Sequence, residues 1–545
     1  MPARPEPPPV RPPAPLPGAS LRLSRRRFLQ HSAVLGVGVS SLGALLAACS
    51  SDDGGGGQGQ TEQVGGELVA GVVSAIGKFD PHGWSGFSSN IVTNHVYQGL
   101  VRLNFSSNEI EPAVAESWES PDPQTWTFKL REGVTFHDGS PVTAEDVVFT
   151  TERSKKVSWG AYALSNLDSV RAVDDRTVEV KLTNPDWRFR WFYYWPPGAI
   201  LSKAYFEKVG EEEATAKPIG TNAFKFVSST SSEVVLEKYD GYWEEGLPKL
   251  DKVTLKVLDG TTIVSGLRTD EIQLSPQVAF DQIKELEGVQ GTTVRSRVGP
   301  HIMLSYFNLA RKPFGEMKVR QAIAEAMDNA AALSAYPTQY IEPSKGAIIH
   351  SSFADSAFEE ANAIYTGNLD KARAMLRETS VPDGFSTTWI VAADRPQEVS
   401  IVLGAKERLA QIGIDVKIQQ LPDPDVAART FVRPQDFDII TYNWLHNMPT
   451  PLDPMAALFT SKGPNFPGYE NPTVEKLVDE VIVATDQQEI SQKLRELHLT
   501  AVREAPLLAH GWDGIVRVES GRVATPEQTL IAEWDDWFRT TAMTG

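Results

Sequence analysis

The chain has 545 residues, with 52 basic against 70 acidic side chains, a single cysteine and 41% hydrophobic residues. A net charge of −18 excludes a nucleic-acid backbone as the natural partner, and one cysteine excludes an internal disulfide. A chain of this length buries ample apolar surface and divides into two or three lobes.

Residues 1–17 are rich in proline and carry no packing pattern. Ser24-Arg25-Arg26-Arg27-Phe28-Leu29 has the form of a twin-arginine export signal, carried by Arg25 and Arg26. General secretory export is the alternative, because basic leaders are common to both routes. The uncharged run 33–48 is too short and too glycine-rich for a comfortable membrane span. It closes on Leu46-Ala47-Ala48-Cys49, the form of a lipobox. The pattern predicts a signal peptide over 1–48, cleavage before Cys49 and diacylation of Cys49, since two acyl chains hold a membrane where one is marginal. A chance buried thiol is the bland alternative. Residues 49–63 read as a polar, flexible tether. The leader holds six arginines and one glutamate, so the remainder is more acidic than the whole.

Beyond the tether, strand and helix signals alternate. Trp126, Phe128 and Leu130 alternate with Thr125, Thr127 and Lys129, the period of a half-buried strand, which Val134 and Phe136 continue. His137-Asp138-Gly139-Ser140-Pro141 is a turn cluster, and Thr143 with Asp146 opens a capped helix through about Arg153. Residues 170–173 and 178–182 form a hairpin around Asp174-Asp175-Arg176. A strand over 234–238 follows the segment 220–226. Helical spacing marks Val319, Ile323 and Met327, then Ala372, Met375 and Leu376. A longer helix from Val399 to Ile412 closes on Gly413 at a C′ position, and Ile414, Val416 and Ile418 alternate as a strand. The whole is a mixed α/β pattern with no repeat and no internal membrane span. There is no HExxH, GxSxG, P-loop or CxxC motif, and no two of the nine histidines stand four apart. Neither a catalytic residue, a metal site nor a cofactor is predicted.

The stretch from Pro112 to Thr150 also carries a longer string: Ala115-Glu116-Ser117-Trp118-Glu119, then Trp126 to Gly139, then Pro141 to Val147. It resembles the signature of the extracytoplasmic solute-binding proteins of family 5, the dipeptide, oligopeptide and nickel binders of ABC importers. Further blocks resemble the same family: Lys78-Phe79-Asp80-Pro81, Tyr97-Gln98-Gly99-Leu100, Ile219 to Phe226, Asp240-Gly241-Tyr242-Trp243, Phe307-Asn308 through Phe314, Val319 to Ala322, and Ile412-Gly413-Ile414 with Val416. The resemblance implies an α/β, two-lobe periplasmic-binding-protein-like fold with a hinge and an extra subdomain inserted in the first lobe. The implied limits are 64–260 for the first lobe, with the insertion at about 107–213, 261–504 for the second lobe, and a return to the first lobe over 505–545. It further implies a lipid-anchored binder on the outer face of the cell membrane, whose partners are a peptide or small solute and the subunits of an ABC permease. An extracellular hydrolase or ligand sensor on the same fold is the alternative, because fold does not fix function.

The same resemblance points to ligand contacts. Peptide-binding relatives carry a tryptophan where this chain has Trp444, and an aspartate three residues later that pairs with the ligand ammonium; here that position is Asn447. Asp453, displaced along the chain, is the carboxylate that could stand in. His446 lies in the same loop. Ser85 and Phe87 follow Asp80-Pro81, with Ser85 replacing a second acidic anchor, while Tyr162 in the insertion and Trp512 near the return complete the set. An amide cannot neutralise an ammonium, so the pattern favours a small organic solute over an ordinary peptide. The bland alternative is a core aromatic at Trp444 and a solvated loop histidine at His446.

Overall fold

The computed structural model describes residues 62–544, apart from 75, 84–86, 105–108, 277, 354–356, 432, 446–449, 485 and 526–535. The expectations on Arg25, Arg26, Cys49, Ser85, His446 and Asn447 fall outside the described residues, as do residues 49–61 of the tether. Its last two residues, Glu62 and Gln63, instead pair as a short strand with Thr544 and Met543.

The fold is mixed α/β in two lobes. In the first, β1 (Glu67–Val72) leads through residues 73–86 into α1 (Phe87–Val96). β2 (Lys252–Val257) and β3 (Leu274–Ser275) flank β1, both parallel to it. Leu68, Ala70 and Val72 of β1 are fully buried, packing with Val92 and Val96 of α1 and Val253 and Leu255 of β2, as a parallel strand covered on both faces requires. The hairpin Phe224–Ser229 and Glu233–Lys238 extends this sheet beyond β2.

Between α1 and that hairpin lies a separate four-stranded antiparallel sheet, in the order Ala115–Asp122, Thr125–Leu130, Thr177–Leu182, Leu167–Asp174. Trp126, Phe128 and Leu130 fill its core, opposite Val178 and Val180. The helix Ala144–Ser154 covers it, and the Thr143 backbone donates to Asp146 Oδ2 at 2.9 Å, closing the start of the helix.

The second lobe hangs on β4 (Thr292–Phe307). There, β5 (Ser386–Ala392) leads into α2 (Pro396–Ala410), β6 (Asp415–Leu421), α3 (Asp423–Phe431), β7 (Ile439–Thr441), β8 (Trp444–Leu445), α4 (Leu452–Phe459) and α5 (Pro472–Val483). β5 runs parallel between β6 and β7. The last long strand, β9 (Leu507–Ser520), pairs antiparallel with β4 from Tyr306 back to Thr292. One end of this ribbon meets β7 and β8; at the other, β9 pairs with β3 of the first lobe. The ladder breaks register between Val298 and His301, where Gly299 and Pro300 interrupt it. The chain then returns to the first-lobe core, where Phe538 packs against His95 and Phe224. No helix among the described residues is long and apolar enough to cross a membrane.

Candidate functional site

In the second lobe the strand order β6-β5-β7 places the first strand between the second and the third. In such a sheet the crevice opens beyond the carboxyl ends of the first and third strands. Here those ends release residues 393–398 and 442–445. Pro396 occupies the first turn of α2, where its fixed φ is favourable and its missing N–H costs nothing, with Arg395 before it at the N-cap. Arg395, Gln397 and Glu398 stand at this helix start.

Arg395 Nε donates to Asp423 Oδ1 at 2.9 Å, and Arg395 Nη1 lies 3.5 Å from Glu398 Oε1. Gln397 Nε2 donates to Asp513 Oδ2 at 3.4 Å, while His301 Nδ1 lies 3.4 Å from Asp513 Oδ1. Glu398 is fully buried, and its Oε2 has no hydrogen-bond partner. Burial pushes its carboxyl up to about 7, against the pull of Arg395 and with help from the negative charges of Asp513 and Asp423. Asn443, just past β7, also has both side-chain polar atoms buried without a partner. Buried polar atoms are nearly always paired, so each of these is unusual.

Of the residues singled out from sequence, Trp444 and Asp453 come together: the Trp444 indole donates to Asp453 Oδ2 at 3.2 Å. Ile302 of β4 pairs with Trp444 on one side and Trp512 on the other, so three side chains share one face of the sheet. Trp512 is fully buried against His350 and Phe358, with ring centroids at 5.1 and 5.5 Å, and its Nε1 has no partner. Both tryptophans belong to the second-lobe core. Phe87 is the first residue of α1 and Tyr162 lies in the helix Ser158–Ala163. Sequence reasoning did not single out Arg395, Gln397, Glu398, Asp423, Asp513 and His301. The one available signal was a charged Asp394-Arg395-Pro396-Gln397-Glu398 run directly after an apolar strand.

A second opening, about 500 Å³ in volume, lies between the inserted subdomain and the second lobe, lined by Leu182, Phe189 and Phe192 on one side and Ala456, Val478 and Ile482 on the other. Trp187 bridges the same two bodies by donating its indole N–H to the Val481 carbonyl at 2.9 Å.

The structure also contains a Ser–His–Asn arrangement. Ser305 Oγ lies 2.8 Å from His510 Nε2, and His510 Nδ1 lies 3.0 Å from Asn329 Oδ1. Ser305 also contacts Thr441 Oγ1 at 2.7 Å, and Trp389 donates to that same oxygen at 2.9 Å. All of these side chains are buried, and burial holds His510 down at about 3. A nucleophile must meet a carbonyl and its base must titrate near neutrality. This network does neither; it ties β4, β7 and β9 together. Among the described residues no cluster of His, Cys, Asp or Glu could hold a metal ion.

The family model for bacterial extracellular solute-binding proteins, family 5, matches residues 109–466. The chain is 29% identical over 402 residues to the glutathione-binding protein GsiB of Escherichia coli O1:K1 / APEC, covering 72% of this chain and 74% of that protein. It is 28% identical over 473 residues to GsiB of Pectobacterium atrosepticum, covering 84% and 90% respectively. Among solved structures, the Helicobacter pylori periplasmic binding protein DppA in complex with the peptide STSA superposes with a TM-score of 0.79 at 24% identity, over 89% of this chain and 99% of that one. The binding protein AgaA of A. tumefaciens R10, in complex with agropinic acid, gives 0.78 at 24% identity, over 88% and 99%. At that identity the superpositions speak for the fold.

Proposed function

We propose that this chain, which belongs to the bacterial extracellular solute-binding proteins of family 5, closes its two lobes on a small organic solute and delivers it to an ABC permease. The observation that carries the reading is the crevice beyond β5 and β7, where Glu398 and Asn443 keep buried polar atoms unpaired. Such groups are costly in a finished core and are expected where a ligand completes them. The solutes named for the relatives include glutathione, the peptide STSA, a nonapeptide and agropinic acid. Closure is a hinge motion favoured by contacts to both lobes, and the β4–β9 ribbon with its register break supports a hinge at that point. We take the first lobe as 64–260 with 505–545 and the second as 261–504. The packing of Phe538 on Phe224 supports the C-terminal return, whereas β3, at 274–275, pairs with β1 and so lies with the first-lobe sheet outside those limits. Trp444, Asp453 and Trp512, with Ser85, Phe87, Tyr162, His446 and Asn447, remain our sequence-based choice of further contacts. The protein acts by binding, without catalysis and without a cofactor. Cys49 anchors it through lipid to the outer face of the membrane, after export on the Arg25-Arg26 signal.

The test is thermal shift with native mass spectrometry of the purified protein against glutathione, Ser-Thr-Ser-Ala, agropinic acid and mannopinic acid. A binder is stabilised by mass action and retains its ligand at unchanged mass. The reading fails if no compound shifts the transition, or if the compound is recovered as hydrolysis products.

A further inference from the structure

The inserted subdomain is tied to the rest of the first lobe. Arg153 holds Asp80 through two bonds, at 3.0 and 2.8 Å. His137 Nε2 lies 2.8 Å from the Asn222 carbonyl, and the Tyr239 hydroxyl donates to the Phe136 carbonyl at 2.7 Å. Yet one short 3-10 helix of this subdomain, Trp187–Trp191, packs into two bodies at once. Phe189 belongs to the subdomain's own core, while Trp187 packs against the core of the second lobe. The Trp187 indole donates to the Val481 carbonyl at 2.9 Å. Val481 lies in the last turn of α5, where a helix leaves its carbonyls without an intrahelical donor. The Ala484 N–H reaches this carbonyl only at 3.3 Å, so it has room for the indole, a group that can donate but not accept.

The indole is held ready for this contact. Asp186 caps the 3-10 helix by accepting from the Arg188 backbone N–H at 3.0 Å. The Trp191 ring lies 5.2 Å from that of Trp187, edge to face, and the Arg190 guanidinium stands 5.6 Å from the Trp187 ring and 4.4 Å from the Trp191 ring. The charges that face the neighbouring opening are paired inside their own bodies, Asp186 with Arg188 and Lys462 with Asp479. None of Arg395, Glu398, Asn443 and Asp513 lines that opening.

We propose that Trp187 is a latch between the lobes, which favours the closed protein without touching the solute and so sets affinity from outside the crevice. The inference rests on the solute-binding, two-lobe reading. On opening, the indole N–H and the Val481 carbonyl return to water and the Trp187 ring leaves the second-lobe core. Closing therefore gains the net worth of one hydrogen bond and the packing of one aromatic face. That gain is the same for every solute, because no solute atom enters it. It raises the fraction of protein in the binding-competent form, and apparent affinity scales with that fraction.

The test is a distance measurement by double electron–electron resonance, without solute, between nitroxides on Lys181→Cys and Lys476→Cys in the full chain carrying Cys49→Ala. Both lysines are exposed, one in the insertion beside Leu182 and the other in α5. Trp187→Phe keeps a ring and removes the donor; it lowers the ratio of short to long distances about fivefold, as loss of one hydrogen bond does. Trp187→Ala lowers it further, and Arg190→Met falls between wild type and Trp187→Phe. Calorimetry follows with glutathione, Ser-Thr-Ser-Ala, agropinic acid and mannopinic acid. Every compound that binds wild type binds Trp187→Phe more weakly by one common factor, up to about fivefold. A residue that only packed the fold would move the urea midpoint and leave the distance ratio alone. Identical distances in wild type, Trp187→Phe and Trp187→Ala overturn the latch, whether or not a compound binds. An affinity loss that differs from compound to compound also overturns it, since it would place Trp187 against the solute. Shifted distances with no compound bound uphold the latch and count against the choice of solutes alone.

Discussion

Replacing Glu398 by Gln is expected to stabilise the ligand-free protein in a pH-dependent way. Burial raises the Glu398 carboxyl from its ordinary value of 4.5 to about 7. At 1.36 kcal/mol for each tenfold change in proton affinity, the difference corresponds to about 3 kcal/mol. Because the folded value is raised, the native chain keeps a proton that the unfolded chain has lost, so this residue's contribution falls as pH rises from about 4.5 to 7 and is constant above. Gln does not titrate and is nearly isosteric with the protonated acid. The variant should match wild type near pH 4.5 and exceed it by about 3 kcal/mol at pH 8. Arg395 retains Asp423 in the variant, so no guanidinium is stranded. The buried histidines set an opposite trend. His82, His95 and His137 are held down at about 4 and His510 at about 3, so both proteins lose stability as pH falls below 6.5 toward those values. That loss cancels in the difference between the two proteins. Urea unfolding of both, followed by tryptophan fluorescence from pH 5 to 8, reads it directly. A pH-independent difference, or a variant less stable at pH 8, would refute the reasoning and show Glu398 ionised and paired in the native state.

Ser305→Ala strands His510 Nε2 in the core and should cost roughly 1–3 kcal/mol in urea while leaving solute affinity unchanged; lost affinity would argue that the network reaches the ligand. Trp444→Ala removes an aromatic at the start of β8 together with its indole bond to Asp453, and should weaken binding by about 2 kcal/mol or more, measured by calorimetry. Unchanged affinity would confine Trp444 to packing. Cys49→Ala should leave unprocessed precursor or release protein to the medium in cell fractionation, whereas mature size and continued membrane attachment would sink the lipid anchor.

Much of the fold was legible because its signals are local. Alternation of Trp126, Phe128 and Leu130 encodes a strand whatever it pairs with, Thr143 and Asp146 close a helix start within four residues, and Gly413 ends the α2 region at φ 89°. The long strand β4 was less legible: Gly299-Pro300 reads as a turn, yet pairing with β9 on both sides carries the strand through it at the expense of register. The site was least legible. Arg395, Asp423 and Asp513 are unremarkable charges in three distant segments, and only the β6-β5-β7 order brings two of them to one crevice and β9 the third. The aromatics chosen from sequence meet through Ile302, a residue with no chemistry of its own.

The central claim is that one solute is held by both lobes at the crevice beyond β5 and β7. Hydrogen exchange of the protein with and without the compound that stabilises it tests this most directly. The account predicts simultaneous protection of residues 393–398 and 442–445 in the second lobe and of the segment between β1 and α1 in the first. Protection confined to one lobe, or to the opening lined by Phe189, Phe192 and Ile482, would contradict it.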